Sequence, residues 1–275
     1  MPGAAAITAE THSQTMLGPQ RDGPRAVGLQ RGCAIMYSAR SPAKDTLNED
    51  AALVLELPFG AIIVAVADGC GGLPAGHEAA DAAINAVRES VQLATDPEHI
   101  TGAIIAGFDA ANRAIMDLRV GAGATLSVVE IADGCVRPYH AGDSMILLTG
   151  QRGRRKLETI AHSPVAYAVE AGMLTEDEAM VHMDRSLVSN IVGHEDMRVE
   201  IGPPVAMAKR DTLVVASDGL SDNLFPGEIV EAVRAGPLDK AAEALIARCA
   251  QRMAEAGPGS PGHPDDLTFV LVRRS

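Results

Sequence analysis

The sequence predicts an α+β fold in which two antiparallel sheets are faced by pairs of helices, a four-layer α-β-β-α sandwich. Three observations lead there. Apolar, β-branched runs dominate the chain, and short turn signals join several of them. Helical spacing is confined to two blocks. The resulting order is strands, two helices, strands, two helices and a last strand, which is not the regular alternation of a parallel α/β sheet.

The strand-like runs fall at 33–37, 51–57, 61–67, 124–132, 136–141, 145–148, 156–160, 212–217 and 267–272. Pro58-Phe59-Gly60 and Asp133-Gly134 read as tight turns between neighbours. Ala80, Ile84, Val87 and Val91 step by four, three and four residues and so share one helical face. Ile104, Phe108, Ile115 and Leu118 mark a second helix. A later pair covers 226–235, opened by a proline in its first turn, and 238–256, with Leu245, Cys249 and Met253 in line. Residues 1–25 have no periodicity and are expected to be a flexible tail. From 26 to 275 no linker or repeat interrupts the pattern, so a single domain is expected.

Composition narrows the function. Of 275 residues, 47% are hydrophobic, enough for a sizeable core, whereas aromatics are 3% and Trp is absent. The formal net charge of −13 disfavours nucleic acid and anionic membrane surfaces as partners. The four cysteines, Cys33, Cys70, Cys135 and Cys249, form no C-x-x-C pair, and none has Arg six positions on. That opposes a zinc knuckle and a cysteine phosphatase loop, and isolated thiols fit a reducing cytoplasm. No run approaches the ~18 apolar residues of a membrane span. A cytoplasmic monomer is expected.

Carboxylates mark the ends of the apolar strands in four places. Asn48-Glu49-Asp50 precedes the run at 51–57. Ile62, Val64 and Val66 share a strand face that Asp68 continues, and Gly69, Gly71 and Gly72 follow. Asp218-Gly219 ends the run at 212–217, and Asp265-Asp266 opens the last one. A single Asp-Gly after a strand is ordinarily a turn, as Asp133-Gly134 is expected to be. Four such clusters are costly at sheet ends unless cations compensate them. Mg²⁺ or Mn²⁺ is the natural counter-charge, and two such ions would activate a water and clamp a phosphoryl group.

The order NED, DGxGGxxAG, GDS, SDGLxD and DDLT resembles the metal-dependent protein phosphatase family, the type 2C Ser/Thr phosphatases, over roughly residues 27–273. The resemblance implies a β-sandwich flanked by helix pairs and a cleft with two Mg²⁺ or Mn²⁺ ions at one end. It also implies attack on phosphoserine or phosphothreonine by a metal-bridged hydroxide. Asp68 matches the carboxylate bridging two metals, Gly69 a carbonyl ligand, and Asp218 and Asp265 the ligands of the second ion. Glu49 and Asp50 match the acidic pair acting directly or through water. Asp143 matches a ligand of a third, weaker ion, and Asp222 and Asp266 stand beside the ligands. A phosphorylated protein, opposed to a Ser/Thr kinase, is the implied partner.

The chain departs from the family in places. Asp45 stands where a phosphate-gripping Arg is common; Lys44 is the expected substitute, with Arg40 nearby. Met145 replaces the Arg of GDSR, Cys70 replaces a general-acid His, and His162-Ser163 lacks the preceding Asp. The variable flap is expected at about 161–195, with an acidic helical face at Glu170, Glu176, Asp177 and Glu178. Histidine spacing does not suggest metal ligation. Arg152-Gly153-Arg154-Arg155-Lys156 reads as an exposed hairpin tip, with a docking site for an acidic partner as the sharper alternative. The missing Arg keeps open a catalytically weak, phosphate-sensing binding module, and a small phosphorylated molecule is the alternative substrate.

Overall fold

The structure, a computed structural model, describes residues 13–16, 23–257 and 261–274. Two antiparallel sheets face each other. The first has the order β1 (Ser13–Met16), β4 (Asp50–Glu56), β5 (Ile62–Gly69), β6 (Ala124–Ala132), β7 (Cys135–Ala141) and β10 (Glu200–Ile201), with β11 (Val205–Ala206) also on β7. The second runs β2 (Arg25–Leu29), β3 (Gly32–Ala39), β13 (Leu267–Arg274), β12 (Thr212–Ala216), β8 (Met145–Thr149) and β9 (Arg155–Glu158).

Alternation along the strands divides the apolar residues into layers. In β5, Val64 and Val66 meet Val215 and Val270 of the opposite sheet, while Ile63 and Ala65 face outward. Helices α1 (Gly76–Gln92) and α2 (Ile100–Met116) cover that outer face with Ile84, Val87, Ile104 and Phe108. On the other side, α6 (Pro226–Val233) and α7 (Leu238–Ala254) lay Ile229, Leu245 and Cys249 over Val214, Phe269 and Leu271. Four layers therefore enclose three apolar seams, as the sequence predicts.

Boundaries match within about two residues for most elements. Leu118 is a difference: α2 ends at Met116, and Leu118 is 37% exposed beyond it. Most of the expected tail at 1–25 lies outside the described residues. Ser13–Met16, within it, pair with Leu55 to Ala52 of β4, and Arg25 opens β2. Asp133 and Gly134 both have positive φ, at 49° and 78°, as a two-residue hairpin between β6 and β7 requires. The basic hairpin after β8 is exposed at Arg152 and Arg154. It sits where β12 begins, at the end of the sandwich opposite the carboxylates.

Candidate metal centre and substrate groove

The carboxylates converge because several strands begin or end at one level. In β5 the inward row Ile62, Val64, Val66 is continued by Asp68, so its side chain turns toward the second sheet. Asp50 is the register partner of Asp68 on β4, and Thr125 its partner on β6. The apolar seam thus ends in a polar row. Across it lie Asp143, just before β8; Asp218, at the start of α5 (Asp218–Ser221) after β12; and Asp265 with Asp266, just before β13.

Hydrogen bonds hold Asp50 and the loops around the carboxylates in place. Ser217 Oγ donates to Asp50 Oδ2 at 2.8 Å, and the Asp50 amide donates to Asn48 Oδ1 at 3.0 Å. Asp50 Oδ1 is buried without a partner. Asp266 accepts from the amides of Ser41 at 2.7 Å and Glu49 at 2.8 Å, so it pins the loop that carries Lys44. The Gly69 amide donates to the Glu49 carbonyl at 2.9 Å, and a Cβ at Gly69 would overlap the Gly76 carbonyl. The N-terminus of α1 therefore rests on bare backbone beside Asp68.

Like charges crowd this end. Burial raises Asp68 well above the usual carboxylate range, helped by Asp218, Asp50, Asp265 and Asp143. Asp218 rises likewise through burial, then Asp222, Asp143 and Asp265. Asp50 is pushed up to about 7 by burial and Asp266, and Asp143 to about 7 by burial and Asp222. Lys44 is lodged among them, with Nζ 2.9 Å from Asp265, 3.2 Å from Glu49 and 3.3 Å from Asp266. Burial opposes its charge, but the three carboxylates outweigh burial and raise its pKa. An orphaned carboxylate oxygen and an oxygen-only donor set under mutual repulsion fit hard divalent cations. Donor atoms from three of these aspartates do not all lie within 4.8 Å of one another among the described residues.

Each residue expected at the site is at this end of the fold, and Lys44 reaches its carboxylates directly. Arg40 instead donates to the carbonyls of Asp45 and Thr46 and shapes the loop. Cys70 is an inert thiol, its pKa pushed up to about 12 by burial, Asp143 and Asp218. Asp222 pairs with His263 at 3.2 Å and stands 3.8 Å from Arg185 Nε.

Arg185 carries no sequence signal, being one isolated cation in the flap. It lines a groove of about 460 Å³ that starts at Asp143, Asp218 and Asp222. The groove runs between Phe225 and the flap helices α3 (Pro164–Glu170) and α4 (Glu176–Met180), with Val165, Val169 and Met180 in its wall. The flap's acidic face is partly local chemistry: Thr175 and Glu178 form a reciprocal capping box that starts α4. Glu170 and Glu176 line the groove.

The sequence profile of the family described as protein phosphatase 2C matches residues 39–258. The chain belongs to the protein phosphatase 2C family. As a member, it is 30% identical over 240 residues to protein phosphatase PhpP of Streptococcus pneumoniae, covering 83% of this chain and 92% of PhpP. It is 31% identical over 255 residues to Ser/Thr protein phosphatase PstP of Mycobacterium tuberculosis, covering 86% of this chain but 45% of PstP. Among solved structures, the Streptococcus agalactiae Ser/Thr phosphatase superposes with a TM-score of 0.75 at 26% identity, over 87% of this chain and 98% of that one. This 2C chain therefore shares the fold of a metal-dependent phosphatase family, and the fold expectation holds. Among the described residues, no helix is long and apolar enough to cross a membrane.

Proposed function

We propose that the chain is a phosphoserine/phosphothreonine protein phosphatase working with Mg²⁺ or Mn²⁺, two ions in the cleft and a third held more weakly. The observation that carries this reading is the convergence of Asp50, Asp68, Asp143, Asp218 and Asp265 on one open end of the sandwich, under mutual repulsion. Asp68 is central to the set, because it feels the charge of all four others, and it would be shared between the ions. Asp218, Asp265 and the Gly69 backbone would complete the cradle, Glu49 and Asp50 would support it, and Asp143 would hold the weaker ion with Asp218. When bound, the ions would supply Lewis acidity and an acidified water.

The protein's own groups position the reactants. Lys44 stays protonated and faces the cleft with a point charge that can bind phosphate in place of the family's Arg. Cys70 holds its proton at neutral pH, which disfavours a thiolate nucleophile and fits direct attack by water. The groove beside Asp143 and Asp218 carries apolar walls at Val165, Val169 and Met180 and acidic groups at Glu170 and Glu176, which suits the residues flanking a phosphorylated side chain in a peptide. A full set of aspartates likewise favours catalysis over a phosphate-sensing binding module. We read residues 26–275 as the catalytic unit, acting as a cytoplasmic monomer on proteins phosphorylated by a Ser/Thr kinase.

The test is phosphate release with Mn²⁺ from phosphothreonine peptides, p-nitrophenyl phosphate and a panel of phosphorylated metabolites. Peptide kcat/KM at least about tenfold above every metabolite supports the proposal. The reverse order would move the assignment to a small-molecule phosphatase, and no turnover on any substrate to a binding module.

A further inference from the structure

His162 sits where the chain leaves β9 for the flap, 1% exposed, and makes contacts that the carboxylate chemistry does not use. Its amide donates to the Gly142 carbonyl at 3.0 Å, and the Gly142 amide donates back to His162 Nδ1 at 3.1 Å. Asn190 Nδ2 approaches the same Nδ1 at 2.9 Å. The Asn190 orientation is fixed, because Oδ1 accepts from the Arg198 amide and Nδ2 donates to the Arg198 carbonyl. The Ser189 amide and hydroxyl both donate to the His162 carbonyl, at 2.8 and 3.0 Å. One residue thus joins the turn before Asp143 to the exit of the flap.

Three potential ligand atoms of His140, His162 and Glu200 lie within 4.8 Å of one another, which raises the question of a separate metal site. The hydrogen bonds answer it. A backbone N–H can only donate, so His162 Nδ1 is the bare nitrogen and its proton is on Nε2. Nε2–H donates to Glu200 Oε2 at 3.0 Å. His162 has no lone pair left for an ion. His140, stacked on it at 4.4 Å between ring centroids, supplies a packing surface and bonds the Ile160 carbonyl through Nε2.

The turn it grips has little slack. Gly142 has φ 115°, a conformation unsuited to other residues, and a Cβ there would overlap Thr125. Asp143 follows directly, and Ser144 is locked by Thr125 Oγ1 at 2.6 Å and by Ser127 Oγ on its carbonyl at 2.9 Å. We propose that His162 is a positioning residue that holds the Gly142–Asp143 turn from the base of the flap and so sets the affinity of the ion bound at Asp143. This rests on the reading of Asp143 as a ligand. Groups that orient a ligand typically govern about 10–100-fold in metal affinity.

The test uses two near-isosteres. Asn places an acceptor close to the Nδ1 position, and Gln places a donor close to Nε2. Calorimetric titration of the full, metal-free chain with MnCl₂ reads each binding event without turnover, and Asp143→Ala identifies the event that depends on Asp143. In His162→Gln that event weakens about tenfold or more with the tighter events unchanged, whereas His162→Asn keeps it within about threefold of wild type. Thermal melts of the metal-free variants report folding. Equal losses in both variants, or none in His162→Gln, would overturn the inference and leave the metal centre standing. A wild-type protein that takes up no Mn²⁺ would overturn both.

Discussion

Asp50 and Asp68 stand directly opposite one another in the β4–β5 ladder, both turned toward the gap between the sheets. Like charges at directly opposed positions destabilise a sheet, and burial adds to the cost. The fold keeps the pair because it is tolerable in two ways: by holding protons, or by sharing a cation.

The first way gives a pH dependence. Asp50 and Asp143 are raised to about 7 in the folded protein, against about 3.9 unfolded. A carboxyl raised on folding stabilises while protonated. That contribution is complete below about pH 4 and is lost as pH rises through about 7. The two groups together lose about 4 kcal/mol between pH 5.5 and pH 8, so metal-free protein is expected to melt lower at pH 8, by roughly 10 °C at the 2–4 °C per kcal/mol typical of this size. Saturating Mn²⁺ should remove the difference. Calorimetric melts with EDTA and with Mn²⁺ check both statements; a metal-free Tm that rises over this range contradicts them.

Neutralising Asp68 should separate stability from activity. Asp68→Asn relieves repulsion from four neighbouring aspartates, so the metal-free Tm is expected to rise by about 2–4 °C. Phosphate release should fall by roughly a thousandfold. A variant that is both less stable without metal and still active would show that Asp68 is an ordinary buried carboxylate.

The layers were legible because alternation separates Val64 from Ile63 and the i, i+3, i+4 face selects Ile84 and Val87. Asp68 was legible because it continues an inward-facing row. The edge strands β2, β10 and β11 were not, since Glu200–Ile201 and Val205–Ala206 are two residues each and pair only through tertiary contact. The flap helices are started by the caps Ser163 and Thr175, which short polar stretches conceal. His162 depends on partners 20 and 28 residues away and on a tautomer, neither of which spacing encodes. Lys44 was legible as a cleft cation, but its three carboxylate contacts were not.

The glycine after Asp218 should be intolerant of any side chain. A Cβ at Gly219 would overlap the Asp266 carbonyl, which belongs to the backbone and cannot swing away. Gly219→Ala is expected to cost about 3 kcal/mol or more, measured by urea unfolding. Gly227, where a Cβ meets open space, is the control, with Gly227→Ala within about 1 kcal/mol of wild type.

Lys44 and Arg185 should divide the substrate between them. Lys44→Met is expected to raise KM for p-nitrophenyl phosphate about tenfold, as loss of a phosphate-facing charge would. Arg185→Ala should leave that substrate nearly unchanged and raise KM for phosphopeptides by about threefold or more, because Arg185 lines the groove beyond Asp222. Equal effects of Arg185→Ala on both substrates would remove the groove from substrate recognition.

The most direct test of the metal-centre account is phosphate release from a phosphothreonine peptide by the full chain in EDTA, after Mn²⁺ is restored, and in Asp218→Asn with the same Mn²⁺. The account predicts turnover only in the Mn²⁺-restored wild type. Undiminished turnover in EDTA, or in Asp218→Asn, would contradict it.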